Sequence, residues 1–238
     1  LKYLRPYVGT DELLYGIQRW CLWLVDAKPS ELADSPVIAG RIAQVRDARL
    51  QSKAPSTRAK AATPHLFGQR AALPTASVLG IPEVSSENRL FMPVAHLPAG
   101  TVVSNKVYSA PDDDGFLFAI ASSSMFMAWQ KTVGGRLESR LSFSNTIVWN
   151  NFPMPMVTDS VKQAICDAGS RVLEARSLYP DRSIAQLYDT DSMELKLLQA
   201  HAELDSLVDQ AFGSTSEAAT LLARQHILFD AYQAAASA

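Results

Sequence analysis

Pro155 separates two stretches of different periodicity, and the second is the more restrictive. Beyond it, apolar residues recur at helical spacing. Val161, Ile165, Ala168 and Val172 share one face of a helix expected over Asp159 to Leu178, with Pro180 beyond its end. A short helix is expected over Ser183 to Tyr188. A longer one runs from about Met193 to Phe212, where Leu197, His201, Leu204, Val208 and Ala211 line up and Gly213 stands where a C-terminal glycine belongs. The last starts near Ser216 and turns Leu221, Leu222, Leu228, Phe229 and Tyr232 inward. Such stripes bury one another, so residues 156–238 are expected to form a small helical bundle.

Residues 1–155 instead show short apolar runs broken by Pro, Gly, Ser and Asp. Val102, Val103, Val107, Tyr108, Phe116, Leu117 and Phe118 favour strands, with "PDDDG" as turn chemistry between them. Ser30 to Leu50 reads as one or two helices, and Gln51 to Ser77 as a long polar, basic loop. The class expected is α+β: a mixed domain over 1–155 and a helical domain over 156–238. With 238 residues, 47% apolar and 19% charged, the chain can bury a sizeable core. It opens on Leu1 rather than Met, which suggests a piece of a longer polypeptide.

Charge is divided at the same place. Residues 1–155 hold 16 Lys and Arg against 12 Asp and Glu, whereas residues 156–238 hold 6 against 12. Between Arg41 and Arg70 lie seven basic residues (Arg41, Arg46, Arg49, Lys53, Arg58, Lys60 and Arg70) and one acid, Asp47. That local field attracts phosphates, although a solvated face or a mobile basic loop has the same composition.

The segment "GGRLESRLSFSNTIVWNNFPMP", from Gly134 to Pro155, carries the most chemistry. If Arg136 to Phe143 is one extended strand, Arg136, Glu138, Arg140 and Ser142 point to one side, and Leu137, Ser139, Leu141 and Phe143 to the other. Arginine grips guanine O6 and N7 with two donors and glutamate accepts from cytosine N4, so this row suits the reading of G·C-containing DNA. The same row also fits an exposed strand with local ion pairs.

Other chemistries find little support. Asn150, Asn151, Phe152 and Pro153 do not form the N-P-P-[YF] loop of amino-methyltransferases, and neither a glycine-rich S-adenosylmethionine loop nor a phosphate loop occurs. Asp181, Glu194 and Lys196 satisfy a loose metal-nuclease pattern, but Glu194 and Lys196 open a helix where residues two apart do not face one another. His201 is expected to be a core histidine bonded to Asp205. Ser85, Ser86 and Glu87 read as turn or cap residues. Cys21 and Cys166 indicate neither a disulfide framework nor a zinc site. The apolar run from Phe116 is too short to span a bilayer, and a reducing, cytoplasmic setting is expected. No catalytic or metal site is expected in this chain.

Four segments together, "RWCLWL" from Arg19, "IPEVSSENRLFMPVAHL" from Ile81, Phe116 to Pro155, and Leu173 to Gly213, resemble the C-terminal region of MmeI-like DNA methyltransferases. The sequence departs from that pattern at Leu141-Ser142-Phe143, at Trp149 in place of tyrosine and at Met154 in place of tryptophan. The resemblance implies a DNA target recognition domain followed by a helical domain, in a bacterial restriction-modification or modification-only enzyme. Such enzymes transfer a methyl group from S-adenosylmethionine to adenine N6, with the methyltransferase, and any Mg²⁺-dependent nuclease, on the N-terminal side.

It further implies base readout by Glu138, Arg140 and Ser142, with Lys106 in the "SNKVYS" turn as a fourth reader. Phosphate contacts are then expected from Arg136, Lys131 and the basic stretch. The expected partners are double-stranded DNA and the methyltransferase region of the same polypeptide, with no membrane. The competing expectation is a protein-interaction scaffold whose active surface is the bundle.

Overall fold

The computed structural model describes residues 2–214 and 220–237. In chain order the first elements are β1 (Leu4–Val8), α1 (Thr10–Tyr15), β2 (Trp20–Leu22), α2 (Pro29–Asp34), α3 (Pro36–Leu50) and α4 (Pro55–Ala59). Then come β3 (Val78–Pro82), β4 (Val84–Ser85), β5 (Ala95–Leu97), β6 (Val102–Val103) and β7 (Val107–Pro111). A helical pair, α5 (Phe116–Ser122) and α6 (Ser124–Val133), leads into β8 (Gly135–Leu137) and β9 (Arg140–Ser142). The remaining helices are α7 (Asp159–Ser177), α8 (Ile184–Leu187), α9 (Leu195–Ala211) and α10 (Leu221–Ala236). Small sheets in the N-terminal part and helices after residue 156 make the fold α+β.

The chain forms two compact units, Leu1–Pro6 with Trp20–Leu73, and Tyr7–Arg19 with Pro74–Ala238. In the first, β1 and β2 pair antiparallel with Leu4 opposite Leu22. Ser35 ends α2 and starts α3, its hydroxyl accepting from the Ile38 amide. No residue of α3 is buried. The segment after α3 is not one long loop. It contains α4 and a 3-10 turn (Lys60–Ala62), because Arg49 donates to the carbonyls of Lys60, Thr63 and Leu66 at 2.7, 3.0 and 2.7 Å and folds the chain back.

In the second unit β3 is buried throughout and lies between β5 and β7, both antiparallel to it. A second sheet has the order β4-β9-β8. The run from Phe116, expected as strand, is helix α5. Burial on every side erases the periodicity that separates a strand from a helix. The capping groups decide instead: Asp112 accepts from the Leu117 and Phe118 amides at 2.9 and 2.8 Å, and Asp114 from Phe116 at 3.0 Å. Packed on α5 is α7, so closely that a Cβ on Gly169 would lie 2.7 Å from the Ala119 methyl.

The later helices start at Thr158, Ser183 and Thr220, whose hydroxyls each cap an amide three residues on. The expected start of the last helix near Ser216 lies outside the described residues. Within α10 only Leu228 is buried, while Leu221, Leu222, Phe229 and Tyr232 are exposed rather than inward, the last two with their rings against Trp129. His201 also differs from expectation. Its Nε2 meets the Tyr188 hydroxyl at 2.7 Å, and Asp205 instead accepts from the Ser124 amide at 2.7 Å and from its hydroxyl.

Candidate nucleic-acid interface

The sequence from Arg136 to Phe143 is a hairpin rather than a single strand. Gly135 stands opposite Ser142, Arg136 opposite Leu141 and Leu137 opposite Arg140, which leaves Glu138 and Ser139 as a two-residue turn. The reversal redistributes the side chains. Arg140, Ser142 and Leu137 share one face, whereas Arg136 falls on the other with Leu141. The period-two pattern is common to both conformations, and the residue that normally signals such a turn, Gly or Asn, is missing.

Glu138 takes the turn at φ 58°, and it is the one non-glycine residue with positive φ among the described residues. A left-handed backbone disfavours an L side chain by about 1–2 kcal/mol. Its carboxylate meets the Arg140 guanidinium at 2.9 Å, with side chains 80% and 48% exposed respectively. A pair so exposed contributes at most about 1 kcal/mol to stability. Both groups therefore stand at the tip as a joined acceptor and donor facing solvent.

The base of the hairpin is fixed from α6. Gly134 follows the helix so tightly that a Cβ there would lie 2.4 Å from the Gln130 carbonyl oxygen. Arg136 donates to the carbonyls of Lys131, Gly134 and Gly135 at 2.9 to 3.2 Å, closing the end of α6. Burial and the neighbouring Arg136 hold the Lys131 ammonium below its ordinary range.

Lys106, in the turn between β6 and β7, connects to the same sheet through Glu83. The Glu83 amide donates to the Lys106 carbonyl at 3.0 Å, and the Glu83 carbonyl accepts from Phe143 at 2.8 Å. Side chains repeat the link, Lys106 Nζ to Glu83 Oε2 at 2.7 Å, and this bond raises the Lys106 pKa. Ser142, opposite Val84, lies one residue from Phe143. The structure thus links Lys106, Ser142, Arg140 and Glu138 to one sheet, with Arg140 and Ser142 on its central strand β9. Sequence reasoning missed Glu83, and the short interval between two strands at "IPEVS" was the available signal.

The basic stretch belongs to the other unit, and its cations differ in commitment. Arg49 and Arg58 donate to backbone carbonyls, Arg58 to those of Ser52 and Lys53, and Arg70 donates to Phe67 at 3.2 Å. Arg41, Arg46, Lys53 and Lys60 have no side-chain hydrogen bond or ion pair among the described residues. Glu194 bonds Arg182 at 2.6 Å, and no group of metal-ligating residues occurs among the described residues.

The matching family models are the MmeI target recognition domain over residues 1–156 and the MmeI C-terminal domain over residues 157–238. The chain belongs to the MmeI family. A solved structure, Type IIL restriction-modification enzyme MmeI in complex with DNA, superposes with a TM-score of 0.91 at 40% identity over 100% of this chain and 31% of that one. DNA methyltransferase A of Bacillus subtilis (strain 168) is 33% identical over 212 residues, which are 89% of this chain and 24% of that protein. The chain therefore spans about a quarter to a third of the length of these two proteins. No helix among its described residues is long and apolar enough to cross a membrane.

Proposed function

We propose that this chain is the DNA target recognition module of a larger bacterial, cytoplasmic, S-adenosylmethionine-dependent adenine-N6 methyltransferase of the restriction-modification type. Residues 1–155 make the DNA contacts, and the helical residues 156–238 support the reading sheet and pack toward the rest of the polypeptide. The observation that carries the reading is the β8–β9 tip, where Glu138 and Arg140 are exposed and held 2.9 Å apart. A two-stranded ribbon fits the major groove, and an acceptor joined to a bidentate donor matches the amine of cytosine and the O6 and N7 of guanine. Because the two groups touch, they address a single base pair rather than successive ones. Ser142 and Lys106 read further along the sheet.

Phosphate contacts come first from Lys131, Arg41, Arg46, Lys53 and Lys60, and then from the N–H groups that Arg49, Arg58, Arg70 and Arg136 keep beyond their carbonyl bonds. Methyl transfer occurs elsewhere in the polypeptide. The Asn151 side-chain NH2 donates to the Thr146 and Ile147 carbonyls at 2.8 and 3.0 Å, which fixes the turn after residue 145.

Mapping methylated sites in cells that carry the full-length enzyme tests this reading. Arg140→Ala is expected to relax the recognised word at one base pair, a discrimination loss of about 1–3 kcal/mol. Binding to a non-cognate duplex should fall steeply with salt. Absence of any duplex binding, with an unchanged methylation word for Arg140→Ala, would favour the scaffold function instead.

A further inference from the structure

The β4–β9 register can be carried past its last bonded pair toward the hairpin turn. In the antiparallel register of β4 and β9, Val84 faces Ser142 and Ser85 faces Leu141. Extending it places Ser86 beside Arg140 and Glu87 beside Ser139, the second residue of the hairpin turn. Its own backbone N–H and the Ser139 hydroxyl, with the Arg140 and Arg136 charges beyond them, hold the Glu87 carboxyl below its usual range. The loop that carries Glu87 is pinned. The Asn88 amide donates to Ser86 Oγ at 3.3 Å, Arg89 to Ser85 Oγ at 3.0 Å, and the Asn88 carbonyl accepts from Thr190 at 2.6 Å.

Three carboxylates flank β4 and the β8–β9 turn, and two are committed to cations, Glu83 to Lys106 and Glu138 to Arg140. Glu87 has no ion pair among the described residues. A carboxylate pressed toward DNA is repelled by phosphate unless it accepts from an exocyclic amine, either cytosine N4 or adenine N6. Neighbouring strands lie about 4.8 Å apart and base pairs about 3.4 Å, so a group one strand over from the tip meets an adjacent step.

We propose that Glu87 is a further base-reading residue, accepting a hydrogen bond from the exocyclic amine of a base pair neighbouring the one addressed by Glu138 and Arg140. The proposal rests on the reading of β8–β9 as the recognition element.

The test compares Glu87→Ala, Glu87→Gln and Arg140→Ala in the full-length methyltransferase, by methylation rates on duplexes varied one base pair at a time and by thermal unfolding. Glu87→Ala is expected to lower discrimination about tenfold at one position, next to the position relaxed by Arg140→Ala, with an unchanged unfolding midpoint. Glu87→Gln, which keeps an acceptor oxygen, should retain part of it. A uniform loss of rate on every duplex, or an unaltered word for both Glu87 variants, overturns the proposal while a relaxed Arg140→Ala leaves the hairpin reading standing. If Arg140→Ala also reads an unaltered word, both fall.

Discussion

Arginine serves opposite ends at the β8–β9 tip and in the interior where α7, α8 and α9 meet. Arg140 lies in solvent beside one carboxylate. Arg176 is 8% exposed and has no carboxylate partner among the described residues. Its guanidinium donates to the Tyr188 hydroxyl at 2.8 Å and to the Val94 carbonyl at 2.8 Å, and it lies 5.2 and 4.8 Å from the rings of Phe118 and Tyr188. Tyr188 passes the chain of bonds to His201, on which Phe91 stacks at 3.8 Å. Burial, and then the Arg176 charge, hold the His201 pKa well down, so the imidazole is neutral. The interior arginine is solvated by carbonyl, hydroxyl and ring faces and ties layers together, whereas the tip arginine adds little stability and keeps its donors available. Charge on a side chain is therefore no guide to its use until its surroundings are known.

The largest effect that tests this contrast comes from the interior. Arg176→Ala strands the Val94 carbonyl and breaks the Tyr188 to His201 chain, and is expected to lower unfolding free energy by about 3–5 kcal/mol in urea melts. A loss under about 1 kcal/mol, as for an exposed pair, would erase the distinction.

Next in size is a pH effect at the α6–α9–α10 contact. Asp205 accepts from Ser124 and faces Arg224, which forks onto Asp209 at 2.8 and 2.7 Å. Burial pushes the Asp205 pKa from 3.8 to about 6, against the pull of Ser124 and Arg224 and with some aid from Asp209. A folded-state pKa above the unfolded one contributes stability that is complete below about pH 4 and is lost as pH rises through about 6. Asp205→Asn keeps an acceptor for Ser124 and removes that slope. Relative to wild type the variant should gain up to about 3 kcal/mol between pH 4 and 7, read from paired urea melts. A pH-independent difference would show that burial of the charge is not what distinguishes this cluster from the surface pairs.

The two regions also differed in how far the sequence disclosed them. Helices α7, α8 and α9 were legible nearly to the residue, because their signals are local: the caps Thr158 and Ser183, and Gly213 at φ 82°. The hairpin geometry of Arg136 to Phe143 was not legible, since Glu138 occupies a turn that glycine usually marks. The partner of His201 was misread because Asp205, one turn away, was a local guess, and the real partner comes from α8's end at Tyr188. Arg49 illustrates a further limit. Its charge is visible in the sequence, but its use on three carbonyls depends on a fold-back that no spacing reveals.

The smallest effect concerns the backbone of the tip. If Glu138 is kept at a left-handed position for the sake of its carboxylate, the hairpin should become more stable when glycine replaces it. Comparing Glu138→Gly with wild type mixes strain with loss of the Arg140 pair, so the informative comparison is with Glu138→Ala, which loses the pair and keeps the strain. Glycine relieves about 1–2 kcal/mol of left-handed strain but gives back about 0.5–1 kcal/mol through the freer unfolded chain. Glu138→Gly should therefore be the more stable of the two by about 0.5–1 kcal/mol, while both lose the same base discrimination in the full-length enzyme. If alanine were equally stable, the φ of 58° would not be a strained setting for this side chain. The contrast between an interior arranged for stability and a tip arranged against it would then rest on the ion pair alone.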